Sequence, residues 1–173
     1  MFRQRPHGAP KRRLVSALVL AAAVGACREL PDGPRCPEGT ARDEGRLVRL
    51  QQRLASDPLA RSLVVATQGR YVTCFGDGIE PGIDAEHRLR LDRRQDDARA
   101  AAKLGHLLLH VSRGLPFDEG DTRPCAERLA RAHELERAAH ALESSLLQRF
   151  GFPALDDVAL HRVMAGYRTR CAD

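Results

Sequence analysis

The sequence predicts an α+β domain: a small antiparallel sheet packed on helices, with a helical C-terminal half. Three observations carry that expectation. Residues 63–67 (LVVAT) and 71–75 (YVTCF) are rich in β-branched and aromatic side chains and are separated by Gln68-Gly69-Arg70, the pattern of a hairpin. Residues 87–92 (HRLRLD) alternate polar with apolar, the pattern of a half-exposed strand. After residue 95 the apolar side chains recur at three- and four-residue spacing almost to the end of the chain, the period of helices with one buried face.

The elements follow in chain order. Arg3, Arg5, Lys11, Arg12 and Arg13 precede an apolar run from Leu14 to Ala26, which is shorter than the ~20 residues a spanning helix needs. The run ends in Val24-Gly25-Ala26-Cys27, which resembles the lipobox of bacterial lipoproteins. That resemblance implies a signal peptide over 1–26, acylation of Cys27, and a chain held in the cell envelope by its lipid. Arg28, in place of the Asp associated with inner-membrane retention, points to the outer membrane. The five basic leader residues account for the whole net charge of +5, so the chain from Cys27 onward is formally neutral. A nucleic-acid partner is therefore not expected, because its usual footprint is a basic stripe.

Residues 27–42 carry Pro31, Pro34 and Pro37 with Gly33 and Gly39, and read as a flexible tether ahead of a single domain over 43–173. Cys36, Cys74, Cys125 and Cys171 form an even set in an oxidising compartment and read as two disulfides. Of the three possible connectivities, Cys36 with Cys74 and Cys125 with Cys171 is favoured. Residues 43–56 read as a helix with Leu47, Leu50 and Leu54 on one face. The hairpin and the third strand come next, with glycine-marked loops between them. A helix over 95–113 has Asp96 and Asp97 in its first turn, where the dipole favours them, and Gly114 past its end. A long helix runs from Pro124 to Phe150, burying Leu135, Ala139, Leu142 and Leu146 and carrying His133, Glu136, His140 and Glu143 on the shoulder of that stripe. A last helix turns Leu160, Val163, Met164 and Tyr167 inward and closes at Cys171.

Inside the third predicted helix lies Ala101-Ala102-Lys103-Leu104-Gly105-His106, followed by Leu107, Leu108, Leu109 and His110. It resembles the active-site helix of the zincin class of zinc metallopeptidases, in which two histidines one turn apart flank a catalytic Glu. The resemblance implies a minimal zincin-like fold over about 63–150. In its register the first ligand His falls on Ala102, the catalytic Glu on Lys103, and the second His on His106. The third ligand, supplied by the following helix, falls on Glu136, with Glu134 as second choice. Alanine cannot ligate and lysine cannot serve as that base. The resemblance thus implies a domain without catalytic residues or bound metal, acting at the envelope by binding or structure, with an unidentified envelope protein as possible partner. Lys103 is expected to pair with Glu136, and Gly105 to let the helix lie close to the sheet.

The alternative is a zinc-binding, metallopeptidase-like hydrolase. It takes His106 and His110 as a shifted pair, since histidines at i and i+4 share a helix face, with Glu136 or His140 completing the ligand set. The place of the catalytic base then falls on Leu107. No other chemistry competes: Ser112, Ser144 and Ser145 lack a His-Asp context, and Gly76-Asp77-Gly78 lacks the spacing of a calcium or phosphate loop.

Overall fold

The computed structural model describes residues 35–116 and 120–172; the expected signal peptide over 1–26 and the expected acylation site Cys27 lie outside them. The described chain forms a four-stranded sheet and five helices, an α+β fold with a helical C-terminal half. Strand β1 (Thr40–Ala41) is followed by helices α1 (Glu44–Leu54) and α2 (Pro58–Thr67). Then come β2 (Val72–Gly76), β3 (Gly82–Ile83) and β4 (Arg88–Asp92), and after them α3 (Asp97–Arg113), α4 (Cys125–Arg149) and α5 (Asp157–Ala172). Among the described residues no helix is long and apolar enough to cross a membrane.

Two expectations are corrected here. Residues 63–67 do not form the first arm of a hairpin; they close α2. The Asp57-Pro58 pair decides this, because the Asp57 carboxylate caps the Ala60 N–H at 2.9 Å and Pro58 sits at the first helical position, where its missing N–H costs nothing. The β-branched Val64, Val65 and Thr67 are tolerated in a short helix, Thr67 donating its hydroxyl to the Leu63 carbonyl at 2.7 Å. The sheet is also mixed rather than antiparallel. Its order is β1-β2-β4-β3, with β2 and β4 parallel from Val72 opposite Arg88 to Gly76 opposite Asp92, and an antiparallel strand on each flank. With no hairpin partner before it, β2 takes β4 as its neighbour, and β3 folds back on the outer side of β4.

Both expected disulfides are present. Cys36–Cys74 ties the segment ahead of β1 to β2, and Cys125–Cys171 ties the start of α4 to the end of α5. The final residues of the proline-rich stretch join the sheet, Thr40 pairing with Gly76 and Ala41 with Phe75.

Helix α3 is the axis of the domain. From Ala100 to Val111 all but Lys103 are buried, because α1, α2, α4 and β4 all pack on this helix. A helix apolar on nearly every side belongs in the interior. Gly105 serves the helices rather than the sheet: a methyl there would stand 2.7 Å from Leu146 Cδ1 of α4 and 3.4 Å from Leu54 Cδ2 of α1. The entry into α3 is held by Arg46, whose buried guanidinium donates to Asp97 Oδ1 at 3.0 Å, to the Arg93 carbonyl at 2.8 Å and to the Gln95 carbonyl. Asp96 caps the first turn through the Ala98 and Arg99 N–H groups, both at 3.0 Å. Together these contacts set the rotation of α3 and decide which of its side chains face α4.

Candidate metal centre

The face that α3 turns to α4 carries Lys103, His106 and His110, and α4 answers with Glu136, His140 and Glu143. The spacings explain the meeting: i, i+3, i+7 on α3 and i, i+4, i+7 on α4 each make a single stripe on one side of a helix. His106, His110, Glu136, His140 and Glu143 are all buried. His106 Nε2 lies 3.1 Å from His110 Nε2 and 3.5 Å from Glu136 Oε2, and His110 Nε2 lies 3.7 Å from the same oxygen. His140 Nε2 approaches that oxygen to 3.8 Å, and its ring meets the His106 ring edge-on with centroids 5.0 Å apart.

A second layer orients the first. Tyr167 of α5 donates its hydroxyl to Glu136 Oε1 at 2.6 Å, which leaves Oε2 facing the histidines. Glu143 Oε2 stands 2.9 Å from His106 Nδ1, in a contact that falls short of hydrogen-bond geometry, and accepts from Lys103 Nζ at 2.6 Å. The partner of Lys103 is therefore Glu143 and not the expected Glu136. Two turns of α4 separate the two carboxylates, and the ammonium emerges from α3 one turn before His106, level with the farther of them.

The electrostatics follow from this layout. Burial pushes the Glu136 carboxyl up, but the imidazoles of His106 and His110 and the Tyr167 hydroxyl outweigh it and hold it far below the usual carboxylate range. Burial likewise works against ionised Glu143, and His106 and Lys103 overcome it and bring that group down. For His106, burial pulls the imidazole down, yet the two facing carboxylates leave it raised overall. His140 is lowered, by burial and then by the charge of His106, which favours the neutral ring that ligates metals. Tyr167 is driven strongly upward by burial and by the Glu136 charge, so it stays a neutral donor.

Several atoms of this cluster have nothing to bond to. Among the described residues, Glu136 Oε2, Nδ1 of His106 and of His110, and both ring nitrogens of His140 are buried without a hydrogen-bond partner. Buried polar atoms rarely remain so, and each such group needs an explanation. The donor set suits a borderline transition metal: imidazole nitrogen and carboxylate oxygen, converging from two helices. A tetrahedral ion with bonds of ~2.0–2.1 Å spaces its ligand atoms about 3.3–3.4 Å apart. The observed separations of 3.1, 3.5 and 3.7 Å bracket that value.

No protein-family model, no curated protein and no solved structure matches the chain. The reading of the site rests on its own chemistry.

Of the residues singled out from the sequence, His106, His110, Glu136 and His140 come together. Ala102 is fully buried one turn before His106 and brings no ligand atom. Glu134 and His133 are exposed on the outer face of α4. Two members of the site were given no role in it from the sequence. Glu143 was placed on the same shoulder of the long helix as Glu136 and His140 but not among the ligands. Tyr167 was assigned to the apolar face of α5, although a buried tyrosine needs a partner for its hydroxyl, which was the available signal.

Proposed function

We propose that this chain is a lipid-anchored envelope protein, acylated at Cys27 and directed to the outer membrane, whose domain binds one divalent transition-metal ion, zinc being the best fit. His106 Nε2, His110 Nε2 and Glu136 Oε2 are the ligands, with His140 beside them as a fourth. The observation that carries this reading is the triangle of those three atoms, spaced as a tetrahedral ion spaces its ligands, with Glu136 Oε2 otherwise lacking a hydrogen-bond partner in a buried setting. A bound ion in such a site supplies positive charge and Lewis acidity. This chain's contribution is to hold and orient the ligands, through Tyr167 on Glu136 and the Lys103–Glu143 pair beside His106.

The reading stops at binding. Between the two histidines stand Leu107, Leu108 and Leu109, none of which can take a proton, and Glu143 is already engaged by Lys103. The function is thus metal binding without the general base of a zincin peptidase.

The second reading is the metal-free one, a zincin-like domain with a purely structural or protein-binding role. It is favoured by the two carboxylates that face His106, which can keep it protonated and make the cluster an internal ion pair. Metal analysis of the detergent-solubilised full chain chooses between them. One zinc per chain, lost in His106→Ala and in His110→Ala while the far-ultraviolet dichroism is unchanged, supports the metal centre. A chain that neither retains nor takes up zinc supports the ion pair. Cys27→Ser tests the anchor, since it should shift the chain from the membrane to the soluble fraction.

A further inference from the structure

A cavity of about 610 Å³ opens onto the cluster. Its floor is the metal-ligating face of α3 and α4, α5 forms one wall, and the short edge strand β3 with the loop before it forms another. Cavities of ~300–1,000 Å³ accommodate small organic ligands. The cavity also has a charge asymmetry that the chain from Cys27 onward lacks. Arg90 of β4 and Arg162 and Arg170 of α5 line it. All three are exposed, and none has an ion-pair partner among the described residues. Arg90 lies against Gly82, where a methyl would come within 3.3 Å of its terminal nitrogen, and the Arg170 guanidinium stands 5.9 Å from the Tyr167 ring centroid.

Among the described residues, counter-charge in the cavity is scarce. The carboxylates that these residues place on its lining are Glu80 and Glu136. Glu136 is committed to the histidines and Tyr167, and the Lys103 charge is met by Glu143. Among the described residues, three guanidiniums therefore face a space with a single uncommitted acid, in a chain whose charge from Cys27 onward is formally zero. Guanidinium groups pair with carboxylate and phosphate in planar, two-point geometry.

We propose that this cavity takes a small organic oxyanion, a carboxylate- or phosphate-bearing molecule. Arg90, Arg162 and Arg170 hold its charged end at the mouth, and the remainder points to the His106, His110 and Glu136 centre. The proposal deepens the metal-binding reading and rests on it for the ion at the cavity floor. Calorimetric titration of the zinc-loaded full chain tests it, with succinate and, separately, inorganic phosphate as probes and with succinamide as the uncharged control. At least one of the two anions should bind and succinamide should not; which anion binds tells carboxylate from phosphate. Arg90→Gln, Arg162→Gln and Arg170→Gln should each weaken binding about fivefold or more, and the triple variant should abolish it. All three positions are on the surface, so folding is not at risk.

Binding of succinamide as tight as that of succinate, or undiminished binding by the triple variant, would overturn the proposal. Zinc content is measured in the same samples, which separates the two readings. A chain that carries zinc but binds neither anion refutes the oxyanion site and leaves the metal centre standing. A chain without zinc that binds an anion through the arginines supports the oxyanion site and refutes the metal centre.

Discussion

Tyr167→Phe is the sharpest perturbation of the proposed metal centre, because it removes one oxygen and changes nothing else in shape. That oxygen donates to Glu136 Oε1 at 2.6 Å, a length characteristic of a hydrogen bond to an ionised carboxylate. Without it the carboxylate is free to rotate, and Oε2 is no longer fixed at 3.5 and 3.7 Å from the two histidine nitrogens. A hydrogen bond to a charged group contributes ~1.5–3 kcal/mol, which is the expected loss of unfolding free energy in the metal-free protein. Part of that energy is common to the metal-free and metal-bound states, so affinity falls by less than the whole of it. Residues that orient a metal ligand are each responsible for ~10–100-fold in affinity, and the zinc Kd should rise within that range. Competition against a chromogenic zinc chelator reads the Kd, and urea denaturation in the presence of a chelator reads the stability. Lowered stability with a zinc Kd unchanged within twofold would refute the argument, because the hydroxyl would then brace α5 without orienting Glu136.

The remaining predictions concern the scaffold that sets the site. Arg46→Ala removes the guanidinium that joins α1 to the start of α3 and leaves Asp97 and two carbonyls short of a partner. Asp97 is half-buried and keeps Arg49, so the expected cost is that of lost hydrogen bonds from a charged group, ~1.5–3 kcal/mol, seen as a lower urea midpoint, and a loss under ~1 kcal/mol would mean that Arg46 does not hold the entry to α3. Asp97 also makes stability depend on pH. Burial pushes its carboxyl up, and Arg49 and Arg46 more than reverse that, so its folded pKa lies below the unfolded one. Its contribution is therefore fully present above the unfolded value of ~3.9 and fades as the pH falls through the lower folded value. Asp97→Asn should be clearly less stable than the parent at pH 7 and nearly equal to it at pH 2; an equal gap at both would contradict the assignment.

The helical half was legible because its signals are redundant. Around α3 the Asp96 cap, the acidic first turn, the apolar spacing and Gly114 all agree, and observed and expected bounds differ by two residues or fewer. The sheet was less so. Strands β1 and β3 have two residues each, too few to show a period of two, and both pair only because β2 and β4 offer them an edge. Residues 63–67 carry β-favouring side chains, yet a two-residue start signal at Asp57-Pro58 outweighs them, since capping and a preset φ act at the nucleus where helix formation is most costly. In the site, His106 with His110 and Glu136 with His140 were legible as i, i+4 pairs. The partner of Lys103 was not, because it depends on the rotation of α3 against α4, which contacts as distant as Arg46 with Asp97 control.

The cluster also accounts for a disulfide that the core alone does not require. Helix α5 packs on α4 and brings one buried apolar side chain, Met164, among its described residues, so hydrophobic contact holds it weakly. Yet α5 carries the Tyr167 hydroxyl to Glu136 and presents Arg162 and Arg170 to the cavity. Cys125–Cys171 closes a loop with a sequence separation of 46, and cross-linking a loop of that length stabilises the folded state by ~4 kcal/mol through the unfolded chain. The bond lies at the end of α5, one turn beyond Tyr167, where it limits how far the hydroxyl can swing from the carboxylate. Where apolar burial is too small to fix a wall, a covalent tie fixes it. An oxidising compartment, consistent with both disulfides, is the setting in which such a tie persists.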